Sequence, residues 1–324
     1  MASPVALPLE PVDPLPQGGV VPDQPRGASD GHRGSLSPSR AADFMACPLK
    51  YRFRVVDKLP EPPSPAAVRG TLVHAVLEEL FTLPAELRSP ERAVELLAPA
   101  WTQLQERTPE LAQLFPAPAP AADAPAPAAD EAEQRWLAEA ERLVRTYFTL
   151  EDPTRLAPAA TEEYVEAVLP DGLRLRGYVD RLDRNGAGDL RVVDYKTGRS
   201  PSELFEGRAL FQMKFYALVL WRARGVIPRE LRLVYLGDGS LLRYTPDESD
   251  LRATERKVLA LWSAIERAHV TGDWRPTKGP LCGYCAHQAL CPVFGGTPPP
   301  LPAALPSDVA VVSPAAALGD PVDA

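Results

Sequence analysis

The chain has 324 residues, 45% hydrophobic and 24% charged, with a formal net charge of −8. That length and apolar content suit one sizeable core or two modest ones and exclude a stapled mini-protein. The acidity speaks against a uniformly basic surface coating nucleic acid. Yet residues 1–37 carry four acids and two bases, and residues 295–324 three acids and no base, so the chain between them is close to balance.

The 38 prolines crowd into residues 1–25, 116–127 and 298–321. Such stretches bury too little apolar surface to offset chain entropy. Residues 1–37 and 295–324 therefore read as disordered tails, flanking one domain over 38–294 with a linker near 107–130. The N-terminus lacks a basic region followed by an apolar run, and the longest apolar run, "FYALVLW", is far short of the roughly 20 residues that cross a bilayer. The expectation is a soluble, cytoplasmic protein with no membrane partner.

A helix start is predicted at Ser35–Arg40, leading into "RAADFMACPLKYRFRVVDK" (40–58), which holds five bases, two acids and three aromatics. That mixture suits phosphate contact and stacking, and equally a solvated helix face. Residues 66–81 space Leu72, Val73, Val76, Leu77, Leu80 and Phe81 as a helix with one buried stripe, with His74 and Glu78 one turn apart. Further helices are predicted at 91–106 and 130–150. Three strands follow, 161–169, 173–184 and 190–198, joined by Pro170-Asp171-Gly172 and "NGAGD". Such short connections imply an antiparallel meander. A helix over 202–225, a strand over 231–237 and a helix over about 247–270 complete the order. The long helix lets the last strand join the sheet in parallel.

The third strand, "LRVVDYKTG", puts Asp194 and Lys196 on one face, because strand side chains alternate. An Asp-x-Lys triplet alone is equally a strand-end ion pair. Asp180 on the preceding strand falls close to Asp194, and the helix carrying His74 can supply a nitrogen to the same place. Two carboxylates and an imidazole suit a hard divalent cation with open positions. Asp180 is equally a partner for Arg181 or Arg184, and His74 a hydrogen-bonded helix histidine.

The four cysteines, Cys47, Cys282, Cys285 and Cys291, form a C-x2-C-x5-C cluster plus one ligand 235 residues earlier. In an intracellular protein this points to a metal site rather than disulfides. Zinc sites usually arrive as two short pairs, so structural zinc and unrelated thiols remain the alternatives. No GxxxxGK[ST] loop occurs, so a helicase motor would be a separate chain.

The ordered motifs "GTLVH", "GYVDRLD", "VVDYKTG" and "QMKFY", with the cysteines, resemble the RecB-family exonuclease domain of the PD-(D/E)xK nuclease superfamily over roughly residues 38–294. The resemblance implies an α/β fold, a central mixed sheet flanked by helices, with a helical insertion and a C-terminal segment stapled by iron–sulfur. It implies a Mg²⁺- or Mn²⁺-dependent deoxyribonuclease acting on single-stranded DNA or ends, in repair or recombination, near the nucleoid, with a separate helicase as a candidate partner. It implies metal ligation by His74, Asp180, Asp194 and the Tyr195 carbonyl, a catalytic Lys196, and Gln212 and Tyr216 at the scissile strand or ordering Lys196. It implies that the cysteines hold a [4Fe–4S] cluster, as in the AddB-like and four-cysteine CRISPR-associated relatives, with structural Zn²⁺ the alternative. A nuclease-like module, silent by itself and serving a helicase, is the competing expectation.

Overall fold

The structure, a computed structural model, describes residues 34–115, 129–202 and 206–302. Its frame is set by two turns in which glycine takes a left-handed conformation. Gly172 (φ 86°) donates to the Leu169 carbonyl and Gly188 (φ 88°) to the Asn185 carbonyl. They fold β2 (Pro158–Val168), β3 (Leu173–Arg184) and β4 (Leu190–Lys196) into the expected antiparallel meander. α7 (Glu206–Arg224) then carries the chain to β5 (Glu230–Tyr235), which pairs with β4 in parallel, as the long connection allows.

Two strands lay outside the sequence expectation. β6 (Ser240–Tyr244) forms a hairpin with β5 across a turn containing Gly239, and β1 (Gly34–Leu36) pairs in parallel with Leu173–Leu175 of β3. The reading of 1–37 as tail is thus corrected at its end: Leu36 is fully buried. A three-residue strand is too short to show a period. Residues 1–33, the linker positions 116–128 and the tail from 303 lie outside the described residues. Residues 109–114 form a 3-10 turn, and Leu301 packs on the core.

One edge of β3 is paired along its length with β2. Its other edge is shared, with β1 holding Leu173–Leu175 and β4 holding Arg181–Arg184, so residues 176–180 face a notch between them. α1 (Pro38–Ala46) begins at this notch. Ser37 caps it by accepting from the Arg40 amide, with Pro38 at the first position where no donor is missed.

Helices cover both faces. Against one, α7 and α8 (Glu248–Thr271) bury Phe215, Leu218 and Trp262 on Val192, Leu231 and Leu233. Against the other, α3 (Pro65–Thr82), α5 (Leu97–Arg107) and α6 (Ala129–Leu150) bury Leu77, Trp101 and Tyr147 on Val193, Tyr195 and Val234. The predicted helix 91–106 is two, α4 (Pro90–Glu95) and α5, divided at Leu96. Among the described residues no helix is long and apolar enough to cross a membrane.

The basic, aromatic segment 40–58 is also corrected. It forms α1, α2 (Pro48–Tyr51) and a π-turn over Arg52–Val56, with Phe44, Tyr51 and Phe53 buried. Lys50 and Arg54 pair with Asp43, and Arg52 with Asp57 at 3.0 Å. Tyr51 stacks on Trp274 (5.9 Å, 13°) and cannot stack on a base.

Candidate active site

Beyond Arg181 opposite Val193, β3 and β4 part company. The Tyr195 amide, which would otherwise continue the ladder, donates instead to Asp180 Oδ2 at 2.7 Å. The Tyr195 carbonyl accepts from His74 Nε2 at 2.9 Å. One peptide unit of β4 therefore fixes Asp180 through its N–H and His74 through its C=O. That bond settles the imidazole's orientation and turns Nδ1 toward Asp180 Oδ2 at 3.5 Å and Glu162 Oε1 at 3.9 Å. The Tyr195 carbonyl, expected as a metal ligand, holds the histidine in this structure.

Glu162 had no place in the sequence reading. It stands between the β2–β3 pairs Thr161–Arg181 and Glu163–Val179, opposite Asp180. Its φ is +46°, a left-handed conformation for a residue with a Cβ, which costs on the order of 1–3 kcal/mol and gathers at functional sites. His74, Glu162 and Asp180 each offer a ligand atom within 4.8 Å of the others. Burial and the neighbouring Asp194 charge raise the Asp180 pKa. At His74 burial opposes protonation, but the nearby Glu162, Asp180 and Asp194 carboxylates outweigh it and raise its pKa. An excess of negative charge collected around one imidazole is the field that a divalent cation relieves, and an N/O donor set suits Mg²⁺ or Mn²⁺. The residues present fit such an ion.

Asp194 and Lys196 do share a face, and α7 closes the group. Lys196 Nζ lies 2.7 Å from Asp194 Oδ2 and donates to Gln212 Oε1 at 2.9 Å, while Gln212 Nε2 donates to Asp194 Oδ1 at 2.8 Å. Gln212 Nε2 also lies 3.4 Å from the Tyr216 hydroxyl, one helical turn on. Asp194 is 2% exposed, and Lys196 about a third. In this arrangement the Asp194 carboxylate is engaged by lysine and glutamine and sits beside the His74–Glu162–Asp180 trio, close enough for its charge to act on Asp180 and His74. Burial raises the Tyr216 pKa further than the Gln212 bond lowers it, so the hydroxyl stays protonated. Tyr216 comes this close because residue 177 is glycine: a Cβ there would meet the tyrosine ring at 2.7 Å. Glu78 is exposed, and partial burial with the Glu162 and Glu79 charges raises its pKa.

Two of the four cysteines, Cys47 and Cys282, come near each other at the far end of α1; among the described residues the four are not gathered closely enough to form a ligand set. None is in a disulfide, and all are half-buried. The Thr277 amide donates to Cys47 Sγ at 3.4 Å, and the same residue's carbonyl lies 3.8 Å from Cys282 Sγ, which also accepts from the Gly279 amide at 3.3 Å. Cys47, remote in sequence, and Cys282 thus touch one residue.

A mixed sheet between helical layers, with carboxylates, a lysine and a glutamine converging where two strands diverge, defines a class of phosphodiester-cleaving fold. The chain belongs to the PD-(D/E)XK nuclease superfamily, whose family model matches residues 35–292. It is 25% identical over 287 residues to the Gene 69 protein of Mycobacterium phage L5, covering 80% of this chain and 96% of that protein. The Gene 69 protein of phage D29 is likewise 25% identical, over 276 residues, with the same coverage. A solved protein from Eubacterium rectale, provisionally designated an exonuclease, is similar with a TM-score of 0.49 and 12% identity, over 79% of this chain and 88% of that one.

Proposed function

We propose that the protein is a metal-dependent DNA exonuclease of the RecB type, acting on single strands or ends. The observation that carries this is the joining of Asp194, Lys196 and Gln212 into one hydrogen-bonded group beside the His74–Glu162–Asp180 trio. His74 Nδ1, Glu162, Asp180 and Asp194 would hold Mg²⁺ or Mn²⁺, which supplies charge neutralisation at the phosphate and an acidified water. Tyr195 orients His74 and Asp180 through its peptide groups. Lys196 places a positive charge where the phosphate gains negative charge in the transition state. Gln212 holds the lysine against Asp194, and Tyr216 offers a neutral donor to the scissile strand.

Cys47, Cys282, Cys285 and Cys291 would hold a [4Fe–4S] cluster rather than zinc, joining the first helices to the C-terminal segment. The meeting of Cys47 and Cys282 at Thr277 supports that role.

Cleavage of end-labelled single- and double-stranded DNA with Mg²⁺ or Mn²⁺ tests the assignment. Asp194→Ala and Lys196→Ala each lose roughly 10²-fold or more of the rate, as when a preorganised charge is removed, while Lys196→Ala still binds DNA. Full activity in Lys196→Ala overturns the reading.

A further inference from the structure

The face of β3 that carries Asp180 continues away from the metal-ligating trio as Tyr178 and then Arg176, successive same-face positions about 7 Å apart. Across the β2–β3 ladder Tyr178 is paired directly with Tyr164, and Arg176 with Glu166. The two tyrosine rings lie 5.3 Å apart at an interplanar angle of 59°. They are 45% and 58% exposed, among the most exposed large side chains on this sheet. The Tyr164 hydroxyl donates to Glu166 at 2.5 Å, so the ring of Tyr164 is tethered by its edge. A cleft of about 600 Å³ runs through the notch beside β3, lined by both tyrosines, Asp180, Gln212 and Tyr216, and by the guanidinium-bearing Arg40, Arg176 and Arg208.

Exposed aromatics one strand step from a carboxylate site, within a cleft edged by arginine, have the chemistry of a base-stacking platform. Arginine meets the phosphates, while a ring face accepts any base. A base inside a duplex is already stacked on its neighbours and has no free face to offer. We infer that Tyr164 and Tyr178 stack the base next to the scissile phosphate, and that this pair is what makes the site select single-stranded DNA. The platform rests on the nuclease reading for its place next to a scissile bond, but base recognition by the pair stands on the cleft itself. The basic, aromatic segment 40–58, whose rings are buried, leaves this role open.

The test compares a fluorescent 15-nucleotide oligothymidine with an abasic oligomer of equal length and charge. Binding is measured in Ca²⁺ and cleavage in Mg²⁺, for wild type, Tyr164→Ala, Tyr178→Ala and the double variant. The wild type should bind the base-bearing strand at least about fivefold tighter than the abasic one, in line with stacking energies of single bases. Each single variant should reduce that preference, and the double variant should abolish it while leaving abasic binding unchanged. Single- over double-strand preference in cleavage should fall with it. If the wild type shows the base preference but cleaves nothing, the nuclease reading fails and the platform stands. If the wild type cleaves DNA yet the double variant keeps the base preference, the platform is overturned and the nuclease reading stands. A fall in melting temperature with unchanged base preference identifies the pair as a cross-strand staple only and likewise overturns it.

Discussion

Glu162 has an unfavourable backbone conformation that its neighbours impose, and its side chain is placed accordingly. Glu162→Gln keeps the shape and removes the charge, so Mn²⁺ affinity measured by calorimetry should fall by about tenfold or more, within the range set by losing groups that support a metal site. Glu162→Gly should relieve the positive φ and raise stability by up to about 1–3 kcal/mol in thermal melts while losing the same affinity. An unchanged Mn²⁺ affinity in both variants would remove Glu162 from the site. The shared face of Asp194 and Lys196 was legible because a period of two on β4 writes it locally, whereas Gln212 and Tyr216 entered only through the resemblance of their motif, since spacing does not bring α7 to β4. Glu162 was not legible, since its place opposite Asp180 depends on the register of a β2–β3 pair and on a conformation that spacing does not encode.

At the scale of elements, the site is built on a buried charge network behind β3 and β4. Arg181, fully buried, donates to both Glu151 carboxylate oxygens, to Asp183 and to the Tyr195 hydroxyl at 2.6 Å. Glu151 also accepts from Arg232 at 2.7 Å. The side chain of Tyr195 is thereby held from one side of β4 while its peptide groups hold His74 and Asp180. Burial raises the Glu151 pKa, but Arg181 and Arg232 outweigh that and lower it below 4.5. A carboxylate depressed in the folded state stabilises the fold above its unfolded pKa, and that contribution is lost as pH falls through the folded value. Glu151→Gln should therefore cost about 3–5 kcal/mol at pH 7 by leaving a buried guanidinium undercompensated. The gap to wild type in urea melts should close as pH drops below about 4.5. A gap independent of pH between 7 and 3 would mean that Glu151 acts through packing alone. The sequence showed helix 130–150 and the strands, yet not this network, because its members come from the residue after α6 and from β3, β4 and β5 and meet only once the sheet and helix layer are stacked.

For the whole molecule, the question is what ties the two ends of the domain together. Residues 274–301 return to the first helices through several protein contacts. Trp274 stacks on Tyr51, buried His287 bonds Glu61 at 2.9 Å and packs on Phe53 at 5.2 Å, and Arg52 donates to the Pro299 carbonyl. None of this follows from the C-x2-C-x5-C spacing, which indicates a metal site but not the surface on which it docks. Those contacts predict that Cys47→Ser remains folded while its C-terminal segment opens. Purified without oxygen, the wild type should be brown and contain iron with acid-labile sulfide, and the variant should lose both. Its melting temperature should drop by several degrees, at about 2–4 °C per kcal/mol for a domain of this size. Hydrogen exchange should rise over residues 274–301 and 44–56 and stay unchanged in α3 and α6, whose buried residues lie in the other half of the core. One equivalent of zinc with negligible iron in the wild type would replace the cluster by structural zinc. Unchanged metal content and exchange in Cys47→Ser would show that the C-terminal segment is held by Trp274, His287 and Arg52 without any metal.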